Sequence, residues 1–400
     1  MPPTPGFTAL TQVKLSPRGA TRLKQGHVWV YRSDIASADG VEPGSLVTVT
    51  DHRGRPLGAA LYSSSSQIAI RLISHDPVAD FPQLLRQRIS DAINYREKIV
   101  RDTNAYRLIF SEADFLPGLI VDRYNKILSL QILTQATDAE PIRETVLSEL
   151  TQRLNPAAIV ERVDPRVREL ETLPLRPSAL LQGKKSSTTF TMNGIQFHYD
   201  ALEGQKTGAF LDQRENYAAA AQYAHGEALD VFCYQGGFAL HLARACDQVT
   251  GVDSSRPALE VADQNADLNK KQIKKEIEWI EANAFDLLKD YASSNHHYDT
   301  IVLDPPAFAK TKRDLDSALR GYKELNLRAL KMLRPGGILV TCSCSYHVGQ
   351  ADFFDMLGSA ALDAHRTLRL IEVRGQSKDH PTLLNVPETA YLKCIVAHVS

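Results

Sequence analysis

The chain has 400 residues, of which 43% are hydrophobic and 23% charged, with a formal net charge of −1. That length exceeds one ordinary domain and the balance is that of a soluble globular protein. Near-neutrality argues against non-specific, charge-driven nucleic-acid binding as the main activity, although a local basic surface still suffices for RNA. No apolar run approaches the ~20 residues needed to cross a bilayer. Met1-Pro2-Pro3-Thr4-Pro5 has no apolar signal-peptide core, so no membrane association is expected. The five cysteines (Cys233, Cys246, Cys342, Cys344 and Cys394) are odd in number and scattered. That pattern is not a disulfide framework and points to a reducing cytoplasm. Cys342-x-Cys344 is too close, and lacks the further ligands, for a zinc site, so no metal is expected.

Residues 1–80 read as a small β-rich unit. Val47–Thr50, Leu57–Tyr62 and Gln67–Ile73 are short strands with Gly/Pro punctuation, as in a small barrel. Lys14, Arg18, Arg22, Lys24 and Arg32 cluster near Trp29 and Tyr31; this suits an RNA surface, but a solvated face beside core aromatics is the reading that composition favours. Residues 81–194 read as a central α+β domain. Phe81 to Thr103 has helical spacing, and Leu119–Tyr124 and Ile127–Leu133 form a hairpin around Asn125. A helix at about 139–153 and a strand at 158–161 follow. Pro174, Pro177 and Gly183-Lys184-Lys185-Ser186-Ser187 predict a loop-rich exit with little regular structure.

Residues 195–400 alternate strand and helix, the signature of a doubly wound parallel sheet. Strands are predicted at 228–232, 248–253, 277–280, 299–303 and 338–341. Helices are predicted at 237–245, 257–269 and 325–333, the last ended by Pro335-Gly336-Gly337. There is no internal repeat.

After the first of these strands the chain reads Asp230-Val231-Phe232-Cys233-Tyr234-Gln235-Gly236-Gly237. Glycines at a strand-to-helix turn let a ligand approach the backbone. The spacing of a dinucleotide-binding fingerprint is absent. Asp253, ending the next strand, can take both hydroxyls of a ribose. Asp230 suits a cation and would repel a pyrophosphate. The combination therefore favours S-adenosylmethionine, with its sulfonium, over NAD. The plain structural alternative is a βαβ turn with Asp253-Ser254-Ser255 as a helix cap.

Two later strand ends carry chemistry. Asp304-Pro305-Pro306 holds a carboxylate beside a rim of carbonyls, because neither proline can donate. Thr341-Cys342-Ser343-Cys344-Ser345 brings thiols to the neighbouring strand end. Cytosine C5 is a poor nucleophile; thiolate addition at C6 makes it enamine-like, which is covalent catalysis. Cys344 and Asp304 could serve as nucleophile and N3 partner. Spacing alone cannot separate Cys342 from Cys344, since alternate residues of an extended segment share a side. Most free cysteines are small buried hydrophobes. Lys310, Lys312, Arg313, Arg320 and Lys323 form a basic loop that could hold phosphates of a flipped-out nucleotide, or could simply be solvated.

Several segments together resemble the bacterial large-subunit ribosomal RNA methyltransferase I family: Gly26–Tyr31, Ser111–Leu119, Lys206-Thr207-Gly208 with Leu211-Asp212-Gln213-Arg214, and Tyr234–Ala239. Asp304–Phe308, Arg320–Lys323, Ser343-Cys344-Ser345, Asp379-His380-Pro381 and Tyr391-Leu392-Lys393 complete the set. The resemblance implies an N-terminal PUA domain for RNA, a central α+β domain and a Rossmann-like class I methyltransferase domain. It also implies S-adenosylmethionine as cofactor, 5-methylcytosine in large-subunit (23S) rRNA as product, rRNA as partner and a cytoplasmic location, and it leaves a homodimer open. Cys344 takes the nucleophile's position and Asp304 that of the residue contacting N3/N4. The cofactor would be held by Asp230, Phe232, Tyr234, Gly236, Gly237, Asp253, Asn283, Asp304, Gln213 and Arg214. The substrate would be held by Pro305, Pro306, Lys206, Lys310 and Lys323. Three positions depart from the family pattern: Asn283 replaces an acidic residue, Val28 replaces a proline between His27 and Trp29, and Val163–Glu169 replaces a basic stretch. The competing readings are an exocyclic-amine RNA methyltransferase, for which Ala307 makes a poorer fit, and a non-catalytic RNA-binding assembly factor.

Overall fold

The computed structural model describes residues 11–202, 209–273, 275–309 and 311–400. The chain separates into two units. One is built mainly from residues 11–188 with 379–389, the other from 209–378 with 189–199 and 390–400.

In the first unit, β1 (Gln12–Leu15), β2 (Trp29–Tyr31), β3 (Ile35–Ser37), β4 (Leu46–Thr50), β5 (Pro56–Tyr62) and β6 (Ile68–Ser74) make a six-stranded sheet of order β2-β6-β5-β4-β1-β3. Its strands are rich in Val, Ile and Leu; Val13, Val30, Val47, Val49, Ile70 and Leu72 fill its core, with α1 (Pro17–Lys24) adding Leu23. Much of the basic cluster is internally paired. The Arg22 guanidinium lies 4.9 Å from the Tyr31 ring centroid and bonds Glu388 at 3.2 Å. Lys24 pairs with Asp51, and Arg32 donates to the carbonyls of Ser63 and Ser66.

The second part of this unit has α2 (Phe81–Ile99), β7 (Ala105–Phe110), β8 (Leu119–Tyr124), β9 (Ile127–Ile132), α3 (Gln135–Asp138), α4 (Glu140–Leu154), β10 (Ala158–Glu161), α5 (Pro165–Leu170) and β11 (Ala179–Gly183). Asp80 caps α2 by accepting the Gln83 N–H, and Leu85, Ile89, Ala92 and Ile93 bury one stripe of it against the sheet β11-β10-β9-β8-β7. The loop expected over 174–187 contains β11. It is an edge strand of half-buried residues, so neither its alternation nor its hydrophobicity stands out.

The second unit begins with the hairpin β12 (Ser187–Met192) and β13 (Ile195–Asp200), also partly inside the predicted loop. There follow α6 (Arg214–Tyr223), β14 (Glu227–Val231), α7 (Gly237–Leu242), β15 (Gln248–Asp253), α8 (Arg256–Leu268), β16 (Ile277–Glu281), α9 (Ala284–Ser293), β17 (Tyr298–Leu303), α10 (Leu315–Met332), β18 (Leu333–Ser343), α11 (Gln350–Asp363), β19 (Leu368–Arg374) and β20 (Lys393–Val399). The seven-stranded sheet has order β16-β15-β14-β17-β18-β20-β19. β14 to β18 are parallel and β20 is antiparallel to both its neighbours.

α2 ends at Ile99 rather than 103 and α7 at Leu242 rather than 245, and two starts differ more. α10 starts at Leu315 rather than 325, because Thr311 and Asp314 form a capping box just ahead of it. β18 starts at Leu333, with Pro335-Gly336-Gly337 inside it. The prolyl-glycyl segment sits where the pairing with β17 slips register, and Gly336 takes φ +91°. The chain order reverses direction in the sheet between β14 and β17, so the crevice beyond their carboxyl ends is the switch point where open α/β sheets bind ligands.

Candidate active site

Register sets the site. Val231 of β14 is level with Leu303 of β17, and Leu303 with Thr341 of β18. Phe232, Asp304 and Cys342 are the next residues on the three strands, so Asp230, Asp304 and the Cys344 segment converge at one sheet end.

The turn after β14 is backbone-shaped for a ligand. Phe232, Tyr234 and Gly236 all take positive φ (67°, 49° and 82°). Asp253 braces the turn: its Oδ2 accepts the Tyr234 N–H and its Oδ1 the Ser255 N–H, both at 2.9 Å. It is half-buried, keeps lone pairs free after these two bonds, and leaves the cap of α8 to Ser255. Asp230 is completely buried. Its Oδ2 accepts the Ala239 N–H at 2.8 Å, while its Oδ1 is buried with no hydrogen-bond partner. Burial, then the nearby Asp304 and Asp253 charges, push its carboxyl well above the usual range.

A pocket opens beside this turn, lined by Phe232, Cys233, Tyr234, Gln235, Gly237, Phe238 and Asp304 from the sheet side and by Met192, Phe197, Ala209, Phe210 and Tyr217 opposite. Gly237 is required there: a Cβ would stand 2.5 Å from the Tyr217 ring. His241, missed by sequence reasoning, donates from Nδ1 to the Gly237 carbonyl at 2.7 Å and stacks on Phe197. Burial lowers its pKa to about 4, so it is a neutral brace. The group that this pocket fits is cationic and partly aromatic. Asp304 brings a carboxyl to its wall, Phe210, Phe232 and Tyr234 offer flat apolar walls, and Asp253 braces the Tyr234 turn from the neighbouring strand end. S-adenosylmethionine meets each of these.

Asp304 ends β17. Gln213 donates to its Oδ1 at 2.9 Å, and Asn216, not foreseen from sequence, holds Gln213 by its Oε1 at 2.6 Å. Burial and the Asp212 charge push the Asp304 carboxyl up to about 7. Pro305 is buried and Pro306 exposed, as a rim requires. The Cys344 thiol donates to the Pro305 carbonyl at 3.9 Å. Cys342 differs from Cys344: it lies inside β18 opposite Cys394, fully buried, and burial raises its thiol well above the ordinary value. β18 ends at Ser343, so strand alternation does not carry to the half-buried Cys344. Ser345 locks the segment. Its Oγ accepts the Ala309 N–H and bonds Tyr322 Oη.

Other expected residues fall differently. Arg214 is buried, and its guanidinium bonds Glu215 at 3.4 Å. Asn283 is exposed and spends its Oδ1 capping α9 through Phe285 and Asp286 N–H groups. Lys323 pairs with Asp363 of α11 at 2.7 Å. Lys206 and Lys310 lie outside the described residues.

Residues 143–397 match the model of the S-adenosylmethionine-dependent methyltransferase family and residues 13–75 that of the PUA-like domain. The chain is 38% identical to the ribosomal RNA large subunit methyltransferase I of Shewanella frigidimarina, over 97% of this chain and 99% of that one. It belongs to that family. The Yersinia pestis protein of the same name is likewise 38% identical, over 94% and 96% of the two chains. Among solved structures, a putative methyltransferase complexed with S-adenosylhomocysteine superposes with a TM-score of 0.83 at 19% identity, over 97% of this chain and all of that one. A putative S-adenosylmethionine-dependent methyltransferase from Streptococcus mutans gives 0.81 at 18%, with the same coverage. These two likenesses are of fold. The chain is therefore an S-adenosylmethionine-dependent methyltransferase with an N-terminal PUA-like domain. Among the described residues no helix is long and apolar enough to cross a membrane.

Proposed function

We propose that this methyltransferase acts in the cytoplasm on large-subunit rRNA and forms 5-methylcytosine, with Cys344 as nucleophile and Asp304 as the acid at cytosine N3. The relatives' names supply the RNA class. The contact between the Cys344 thiol and the Pro305 carbonyl carries the choice of chemistry, because it sets a thiol beside the Asp-Pro-Pro rim at the switch point. Residues 1–80 would bind RNA, 81–194 form the central domain and 195–400 hold the reaction. Pro305 and Pro306 would face the base, with Lys206, Lys310 and Lys323 toward its phosphates.

The cofactor supplies an electrophilic methyl group when bound. Asp230 and Asp253 would hold it, with Phe232, Tyr234, Gly236, Gly237, Asn283, Gln213 and Arg214 around it. The Cys344 thiolate adds to C6, the C5=C6 pair shifts to C4=C5 and the former C4=N3 pair takes the Asp304 proton at N3, leaving an enamine that is nucleophilic at C5. After methylation a base takes the C5 proton, the C5=C6 double bond re-forms, the thiolate leaves and Asp304 recovers the N3 proton. An acid with a pKa of about 7 is half-protonated at neutral pH and suits that exchange.

The test is transfer of labelled methyl from S-adenosylmethionine to unmodified large-subunit rRNA, followed by nucleoside analysis. Label in 5-methylcytosine is the expected result. Label on the exocyclic amine of a base would overturn the proposed chemistry, and no label on rRNA would overturn the proposed substrate.

A further inference from the structure

Lys393 opens β20 directly opposite Ser343 of β18, so its side chain rises on the face from which the Cys344 segment emerges. Its Nζ donates to the Ser345 carbonyl at 2.7 Å and to the Tyr391 carbonyl at 2.9 Å. Both acceptors are neutral. The cation is therefore held beside the thiol by backbone and is not neutralised by a carboxylate at those two bonds. An ammonium desolvated in this way is costly unless something negative can form near it.

Resting on the reading of Cys344 as the nucleophile, we propose that Lys393 is a positioning residue for it. Its ammonium fixes the Ser343-Cys344-Ser345 segment through the Ser345 carbonyl, and its charge favours the Cys344 thiolate over the thiol.

The electrostatics run the same way. Burial lowers the Lys393 ammonium to about 8, and a Cys344 thiolate draws it back up. The interaction is mutual, so the cation must draw the thiol down. The other ionisable groups around the pair do not supply that charge. Tyr322, from α10, is raised by burial and further by a Cys344 thiolate, so it stays a neutral phenol. Asp304, at the end of β17, would oppose a thiolate when ionised. Cys342 and Cys394, on β18 and β20, are buried side by side, and Asp212 is taken up by the Tyr391 hydroxyl at 2.6 Å.

The test is the pH dependence of iodoacetamide alkylation at Cys344, read by mass spectrometry of the full-length protein without RNA. The midpoint in wild type is expected below the ~8.5 of an ordinary thiol. Lys393→Met and Lys393→Gln should each lower the alkylation rate at pH 7 about tenfold, the consequence of a one-unit rise. Lys393→Arg, which keeps the charge, should restore most of it. A wild-type midpoint at or above the ordinary value would overturn the proposal whether or not any variant folds. So would equal rates in the neutral and arginine variants. Failure of the nucleophile assignment itself would show separately, as methyl transfer surviving Cys344→Ala.

Discussion

The Sγ of Cys344 lies 3.9 Å from the carbonyl oxygen of Pro305, and the fully buried Cys342 faces Cys394 two residues earlier in the same chain. The two thiols are thus chemically unequal. Cys344→Ala, which removes the proposed nucleophile, should reduce methyl transfer by at least about a thousandfold and leave S-adenosylmethionine affinity within about twofold. Cys342→Ala should keep transfer within a few-fold and cost about 1 kcal/mol of stability, as a small cavity in the core does. Initial rates, calorimetric titration and thermal melts check all four values.

Asp304 is the proposed proton donor to the base, and burial pushes its carboxyl up to about 7. The protonated fraction falls as pH rises through that value, while the Cys344 thiolate fraction grows. The rate should follow a bell whose fall at high pH comes from loss of the Asp304 proton. Asp304→Asn can hydrogen-bond but not give up a proton. It should lose about a hundredfold to ten-thousandfold in rate and lose that limb as well. A pH–rate profile of both proteins is the check.

Asp230 keeps a buried carboxylate oxygen unpaired, and its carboxyl is raised well above the usual range. A folded-state value above the unfolded one means that the charged form opposes folding. Its cost is absent below pH ~4 and grows as pH rises above the unfolded value. Asp230→Asn should therefore melt a few degrees higher at neutral pH. It should bind S-adenosylmethionine at least about tenfold more weakly, having lost the carboxyl that braces the start of α7 beside the proposed cofactor site. Thermal melts with and without cofactor read both effects.

Gly237 leaves room for Tyr217, whose ring a Cβ would meet at 2.5 Å. Gly237→Ala should displace that pocket wall, cost about 1–3 kcal/mol as overpacking does, and raise the KM for S-adenosylmethionine more than it lowers kcat. Steady-state kinetics at saturating RNA measure the split.

The strand ends were legible because buried parallel strands read as apolar runs. Thr300–Leu303 and Ile338–Val340 place Asp304 and Cys344 without any knowledge of packing. Their supports were not legible. Gln213 reaches Asp304 across about ninety residues of sequence, and Lys393 meets the Cys344 segment only through the antiparallel pairing of β20 with β18. No local pattern encodes either contact. Spacing predicted two thiols on one side; the end of β18 at Ser343 separates them instead. β11 was hidden by the reverse fault, since Pro177 and the Gly183-Lys184-Lys185 run read as loop although an edge strand tolerates both neighbours.

The proposed reaction passes through a covalent bond between Cys344 and C6 of a cytosine in large-subunit rRNA. Incubating the enzyme and S-adenosylmethionine with rRNA transcribed with 5-fluorocytosine blocks the last step, because fluorine at C5 cannot leave as a proton. A denaturation-resistant protein–RNA adduct that maps to Cys344 by mass spectrometry and disappears in Cys344→Ala is the expected result. No adduct, or one that maps to Cys342, would contradict it.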